Sequence, residues 1–313
     1  MILKNKIASH FLISAPRSGS TWLQTMYNAH PKLACVERRL FGNYADMVLD
    51  DGAQAPRLRV TLDKYVQSML LHHGYPKSQQ KKLTQNFIKA LLQAEQETLG
   101  KPVVVDKITP YLNTSAQVVS QLTTYFPKAK VLYLVRDGRD VLTSGVFHWF
   151  NKQPANKALT PFERQRRDYF IHGKGERPKR FFQDKEIEQW ANEWQQPLQT
   201  IDKAKQHHKV HTVTYEAMLT DTTKVLEECF GFFQVKTTKK SLAACLSAGQ
   251  FKTMSQGRKQ GEAKANAHVR KGVSGDWKQY FTYTDGKLFH DIAGEILLQY
   301  GYETNENWYE RLR

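Results

Sequence analysis

Apolar and polar positions fall into blocks of strand length, each followed by a polar turn and then by helical spacing. Phe11–Ala15 is an apolar run that stops at Pro16, and after a turn of small hydroxylated residues Trp22, Leu23, Met26 and Tyr27 recur at helical intervals. The same succession returns at Val103–Val105, which closes on Asp106-Lys-Ile-Thr-Pro110. It returns again at Lys130–Val135, which closes on Arg136-Asp-Gly-Arg-Asp140 and leads into a helix through Val141, Leu142 and Phe147. The spacing predicts helices over Leu62–His73, Ser78–Leu99, Ser115–Phe126, Ile187–His207, Thr222–Phe232, Ser241–Ala248 and Asp285–Tyr300. A strand over Val210–Val213 ends at Thr214-Tyr215-Glu216. Strand, turn and helix in repetition define an α/β class, with a central parallel β-sheet flanked by helices. In such a sheet the chemistry belongs at the carboxyl ends of the strands.

No internal repeat or second domain is evident, so one domain is expected over 1–313. Three stretches depart from the pattern. Residues 43–60 mix Asp, Gly and Pro and read as loop. Segment 151–185 is polar and basic, with Tyr169, Phe170, Phe181 and Phe182 set among its arginines and lysines, and reads as an insertion or lid. Residues 255–275 are rich in Gly and Lys without apolar periodicity and read as a mobile loop, with 255–270 as a second variable insertion.

Composition narrows the function classes. The longest apolar runs are strand-sized, which argues against a membrane span, and no apolar leader precedes Pro16. Three widely spaced cysteines, Cys35, Cys229 and Cys245, have no metal-ligand partners nearby and suit a reduced, cytoplasmic setting. Lys and Arg outnumber Asp and Glu by 46 to 30, a net charge of +16. That excess favours a polyanion: nucleic acid, an acidic surface or a multiply phosphorylated small molecule.

The first turn has the chemistry for the last of these. Strand, tight turn and helix N-terminus bring backbone N–H groups and a helix dipole onto one anion, and Arg17 adds a cation. A Walker A loop would need Gly-x-x-x-x-Gly-Lys-Ser/Thr, and Ser20 stands where its lysine belongs. An ATP-dependent kinase of P-loop type is therefore the runner-up. A basic nucleic-acid-binding protein ranks below it, because no helix-turn-helix, zinc-finger or RNP pattern accompanies the charge.

Pro16-Arg-Ser-Gly-Ser-Thr-Trp22 resembles the 5′-phosphosulfate loop of the sulfotransferases, usually Pro-Lys-Ser-Gly-Thr-Thr-Trp. Two further segments follow in the family's order. Arg136, ending a strand, with Ser144 eight residues on resembles its 3′-phosphate segment. Arg270-Lys-Gly-Val-Ser-Gly-Asp-Trp-Lys278 is similar to its C-terminal Arg-Lys-Gly-x-x-Gly-Asp-Trp signature. The resemblance implies a P-loop-like sulfotransferase fold and transfer of a sulfuryl group from 3′-phosphoadenosine 5′-phosphosulfate (PAPS) to a hydroxyl acceptor. The product nucleotide is adenosine 3′,5′-bisphosphate (PAP), and neither a metal nor nucleic acid is involved.

It also implies roles by position. Ser18, Gly19, Ser20 and Thr21 would hold the 5′ end, and Arg136, Ser144, Arg270, Lys271 and Gly272 the 3′-phosphate. Trp22 and Phe251 would flank the adenine, with Tyr215 at the purine. Read from the residues alone, Trp22 and Phe251 are equally core aromatics, Tyr215 a strand residue, and Arg136 a partner for Asp137 or Asp140. Arg17 takes the place of the family's lysine and, with a pKa above ~12, serves as an electrostatic clamp rather than a proton donor. Lys107 is a second cation near the transferred group.

The cytosolic small-molecule members carry Lys-Thr-His-Leu-Pro, with the histidine as base. This chain reads Lys107-Ile-Thr-Pro110 and lacks that histidine. Glu37, in Glu37-Arg-Arg-Leu-Phe41, resembles instead the glutamate base of heparan-type, glycan-modifying members, which implies a carbohydrate or other aliphatic hydroxyl as acceptor. Asp106 and His148 are the alternative bases, and Glu37 reads otherwise as an ion-pair partner of Arg38 or Arg39.

Overall fold

A computed structural model of the chain describes residues 8–38, 40–41, 45–48, 57–60, 62–76, 78–110, 115–153, 159–265, 267 and 269–312. The chain opens with β1 (Ala8–Ser14), α1 (Ser20–Asn28) and β2 (Leu33–Val36). An antiparallel pair, β3 (Ala45–Val48) and β4 (Arg57–Val60), comes next, then α2 (Leu62–His72) and α3 (Gln79–Leu99). The middle of the chain is β5 (Val103–Ile108), α4 (Ser115–Tyr125), β6 (Lys130–Val135), α5 (Gly138–Lys152), α6 (Pro161–His172) and α7 (Asp184–Ala204). It closes with β7 (Lys209–Thr214), α8 (Tyr215–Thr220), α9 (Thr222–Phe232), α10 (Lys239–Ala248), the short α11 (Phe251–Met254) and α12 (Tyr283–Gln299).

Five strands form one wholly parallel sheet in the order β2-β5-β1-β6-β7. Alternation along each strand divides the core in two. Leu132 and Leu134 of β6 pack with Leu12, Val105, Leu23, Met26 and Leu226 beneath α1 and α9. Val131, Tyr133 and Val135 pack on the other face with Phe11, Ile13, Leu142, Trp194 and Phe289, covered by α4, α5, α7 and α12. With both faces covered, the strands are continuous apolar runs, as a buried parallel sheet requires.

Two elements depart from the expected pattern. Residues 43–60 contain the β3–β4 hairpin, which the Asp, Gly and Pro content hid. Segment 151–185 contains α6, whose charged surface conceals its helical period. Its signal was local: Thr160 accepts a hydrogen bond from the Glu163 N–H while Glu163 reaches back to the Thr160 N–H, with Pro161 in the first turn. This segment is also anchored. Arg166 is fully buried and forks onto Glu186 at 2.7 and 3.0 Å, and Phe181 and Phe182 lie in the core. The described residues of 255–275 form no helix or strand, but two arms of this stretch are tied by Gly261 N–H to Lys271 O (2.9 Å) and Lys264 N–H to Arg270 O (3.1 Å). Arg258 donates across the same loop to the carbonyls of Glu262, Val269 and Arg270.

The start of α5 shows how tightly the site's scaffold is packed. Trp194 of α7 is 1% exposed and donates its indole N–H to the Arg136 carbonyl (2.9 Å). A Cβ on Gly138 would lie 2.5 Å from that ring. Glycine-to-alanine changes in helices ordinarily stabilise by up to ~1 kcal/mol. Gly138→Ala should do the reverse, lowering stability by roughly 1–3 kcal/mol as overpacking does, measured as a lower urea midpoint with an unchanged m-value.

Candidate active site

Every strand of the main sheet carries one of the candidate residues at or near its carboxyl end: Arg17 after β1, Glu37 after β2, Lys107 within β5, Arg136 after β6 and Tyr215 after β7. The turn after β1 is built by two left-handed residues, Arg17 (φ 64°) and Gly19 (φ 92°). The hydrogen-bond ladder of α1 begins with the N–H groups of Trp22 and Leu23, both donated to the Gly19 carbonyl at 2.9 and 3.3 Å. The amides of Ser20 and Thr21 precede that ladder, as at any helix start. Gly19 is required twice over, since a Cβ there would also lie 2.6 Å from the Tyr215 ring.

Across the cavity, the Arg136 guanidinium carbon lies 4.4 Å from the Tyr215 ring centre. Its nitrogens donate to the carbonyls of Arg17 (3.1 Å) and Val273 (3.2 Å), and Asp140 Oδ2 is 3.7 Å away. Arg17 Nε donates to Ser144 Oγ at 3.1 Å, so the first turn and α5 already touch. Arg270 and Lys271 both pair with Asp276, Lys271 at 2.7 Å. Those two cations overcome the upward push of burial and hold the Asp276 carboxyl below the usual carboxylate range. Asp140 pins this loop to α5 by accepting from Gly275 N–H (2.8 Å) and Trp277 N–H (3.0 Å).

The result is a cavity of about 570 Å³ lined by Arg17, Gly19, Ser20, Thr21, Trp22, Arg136, Ser144, Tyr215, Phe251, Arg270, Lys271 and Gly272. Segments more than a hundred residues apart therefore meet in one place. Ser18 does not line it; the residue is 1% exposed and its Oγ has no hydrogen-bond partner. Trp22 donates its indole N–H to the Gly249 carbonyl (2.7 Å) and meets Tyr215 edge-on at 5.7 Å. Phe251 lies against Gly272, whose φ of +67° and missing Cβ leave room for the ring. Sequence reasoning missed the rest of the wall, including Leu246, Met254 and Gln260. It also missed Arg258, which lies 5.4 Å from the Phe251 ring centre. No local pattern marks these residues; only the fold brings them in.

Glu37 is 35% exposed and pairs with Lys107, not with Arg38: Oε1 and Nζ are 2.6 Å apart. Arg39 lies outside the described residues. Lys107 Nζ also donates to Thr21 Oγ1 at 3.4 Å, which joins Glu37 to the first turn through one ammonium group. Asp106 faces the other way. It is fully buried, and its Oδ1 accepts the backbone N–H of Arg38 at 3.0 Å. His148 sits one turn beyond Ser144 on α5, half-buried, and is not among the residues lining the cavity. Among the described residues no group of His, Cys, Asp and Glu is placed to hold a metal, and no helix is long and apolar enough to cross a membrane.

The parallel sheet, a first turn that opens directly into a helix and a basic, aromatic-walled cavity fit a nucleotide-dependent group-transfer protein. A family model described as "Sulfotransferase domain" matches residues 8–301, and the chain belongs to the PAPS-dependent sulfotransferase family. Among relatives, Sulfotransferase 2A1 of Rattus norvegicus is 27% identical over 211 residues, covering 63% of this chain and 67% of that protein. The 3-beta-hydroxysteroid sulfotransferase of Cavia porcellus is 24% identical over 55% of this chain and 58% of its own length. Two solved structures share the fold. Mouse sulfotransferase SULT7A1 complexed with PAP has a TM-score of 0.51 and 17% identity, covering 94% of this chain and 88% of its own. The sulfotransferase domain of the Synechococcus PCC 7002 olefin synthase also has a TM-score of 0.51 and 17% identity, covering 95% and 96%.

Burial pushes the Asp106 carboxyl up to about 7, against the attraction of Arg38. The folded protein thus keeps a proton that the unfolded chain releases near ~4. The stability this contributes is complete below about 4 and is lost as pH rises through about 7. In urea titrations across that window, Asp106→Asn should show a smaller fall in stability with pH than the wild type.

Proposed function

We propose that this protein transfers the sulfuryl group of PAPS, in line, to the hydroxyl of a small alcohol, with Glu37 receiving the acceptor's proton. The observation that carries this reading is the contact chain from Thr21 Oγ1 to Lys107 Nζ to Glu37 Oε1, at 3.4 and 2.6 Å, from the donor loop to an accessible carboxylate. Sulfuryl transfer needs positioning and charge stabilisation more than covalent help from the protein. Lys107 and Arg17 supply the positive charge, Arg17 as a fixed guanidinium that gives up no proton. A carboxylate within reach of the acceptor oxygen supplies the base.

The cavity suits a donor with two anionic ends. Backbone amides from Ser18 to Thr21 with the hydroxyls of Ser20 and Thr21 would hold one end. Arg136, Ser144, Arg270, Lys271 and Gly272 would hold the other. Arg136 and Arg270 each keep a buried Nε without a hydrogen-bond partner, donor capacity that the protein leaves unspent. Trp22, Phe251 and Tyr215 would form the apolar walls for a purine. The names of the relatives make 3-hydroxysteroids the first acceptors to test; the position of Glu37 favours carbohydrate hydroxyls as the second class. The reading includes one domain over 1–313, acceptor-side variation at 151–185 and 255–270, and a cytoplasmic setting, for which the three free buried cysteines speak.

With radiolabelled PAPS and a panel of hydroxysteroids, phenols and sugars, at least one acceptor class should be labelled without added metal. Glu37→Gln should then lose roughly 100-fold or more in turnover, the scale of a missing general base, and still bind PAP. Normal turnover in this variant would remove Glu37 from the mechanism. Arg136→Ala should weaken PAP binding by about 2–4 kcal/mol in calorimetry, the cost of removing one partner of a buried charge pair.

A further inference from the structure

We infer that Arg38, Glu95 and Asp106 are positioning residues: on one face of the sheet edge the Arg38–Glu95 ion pair and the Asp106 carboxyl that accepts the Arg38 N–H hold Glu37 against Lys107 on the other face. The inference rests on the reading of Glu37 as base. Its origin is the register of β2 on β5, in which Cys35 pairs with Val105 and Val36 with Asp106. One step further, Glu37 meets Lys107. Successive side chains alternate between faces. Glu37 and Lys107 therefore share the face of Cys35 and Val105, which pack beneath α1, whereas Arg38 and Asp106 share the opposite face with Phe11 and Ile108.

On that opposite face every guanidinium nitrogen of Arg38 is engaged. Nε and Nη2 donate to the Glu95 carboxylate at 2.8 to 3.0 Å, and Nη1 donates to Ser9 Oγ at 2.9 Å. The Arg38 side chain is 1% exposed and that of Glu95, on α3, is 15% exposed. The Arg38 backbone N–H, which begins the peptide unit directly after Glu37, donates to Asp106 Oδ1 at 3.0 Å. Asp106 Oδ2 lies 3.9 Å from Arg38 Nη1 and has no hydrogen-bond partner. Glu37 is thus gripped on both sides of its own backbone: its carboxylate by Lys107 and its following peptide by Asp106.

Buried ion pairs are a poor way to stabilise a fold, since apolar pairs of similar volume often do as well or better. What the charges add here is direction. A fork onto Glu95 fixes the rotation of Arg38, and through it the strand end that carries Glu37. Catalytic groups are most sensitive to this kind of support, because displacement by about 1 Å can cost on the order of 100-fold in rate.

The test uses the whole chain with water as acceptor, following sulfate released from radiolabelled PAPS. In that reaction the new S–O bond forms to water as the bond to the departing nucleotide breaks, and Glu37 takes the water proton. Wild type, Glu95→Gln, Glu37→Gln and the double variant form one cycle. Glu95→Gln should slow release about 10-fold or more while leaving the Kd for PAP within about twofold. In the Glu37→Gln background the same change should have no further effect. Equal slowing in both backgrounds, or a loss of PAP affinity matching the loss of rate, overturns the inference. A Glu37→Gln protein as fast as wild type would instead remove the base reading itself. Should Glu95→Gln fail to fold, Arg38→Lys, which keeps the charge and loses the fork onto Glu95, replaces it in the same cycle with the same expectations.

Discussion

A cavity that gathers Arg17, Arg136, Arg270 and Lys271 has to offset their mutual repulsion before any anion enters it. Two buried carboxylates do this, and both carry structural duties as well. Asp140 lies beside Arg136 while accepting two backbone N–H groups from the loop that bears Arg270 and Lys271. Asp276, inside that loop, pairs with both of its cations. Removing either carboxylate would release positive charge and loosen the wall at the same moment. The first turn of α5 adds a third support. Arg139 sits 3.8 Å from the Trp277 ring centre and 4.5 Å from that of Trp308, and bonds to Asp137 and Glu303. The C-terminal segment is thereby fastened to the helix that carries Ser144.

The aromatic walls obey a second constraint, that of space. Tyr215 rests on Gly19 and Phe251 on Gly272, so each of these two turns has a ring where a side chain would otherwise stand. Both glycines also have positive φ. Their conformational freedom and their missing Cβ serve one arrangement, a flat apolar surface lying directly against backbone that can donate to an anion.

Much of this was legible from the chain because the decisive signals are local. A strand ending in Pro16-Arg-Ser-Gly-Ser-Thr-Trp22, a second ending at Arg136 and a glycine-bearing basic segment at 270–278 each carry their chemistry within a few residues. The parallel sheet followed from uninterrupted apolar runs. What escaped was non-local or masked by composition. The partner of Glu37 is set by strand register, so Lys107 rather than the neighbouring Arg38 takes it. The helix α6 is coated in charge and betrays itself only through Thr160, Pro161 and Glu163. The β3–β4 hairpin lies in a stretch where Asp, Gly and Pro read as loop. Leu246 and Met254 reach the cavity through tertiary packing, which leaves no periodic trace.

Alternation at the edge of the sheet has a consequence for how this site tolerates change. Glu37 and Arg38 are adjacent and point in opposite directions, each into a partner of opposite charge on β5 or α3. A one-residue slip of β2, or an insertion or deletion between Leu33 and Glu37, would exchange them. A guanidinium would then face the Lys107 ammonium, and a carboxylate would be buried against Glu95 and Asp106. Both contacts would be repulsive, one of them deep in the protein. The charges thus act as a key that fits in one register only, and the short strand between Pro31 and Arg38 is free to change its side chains far more readily than its length.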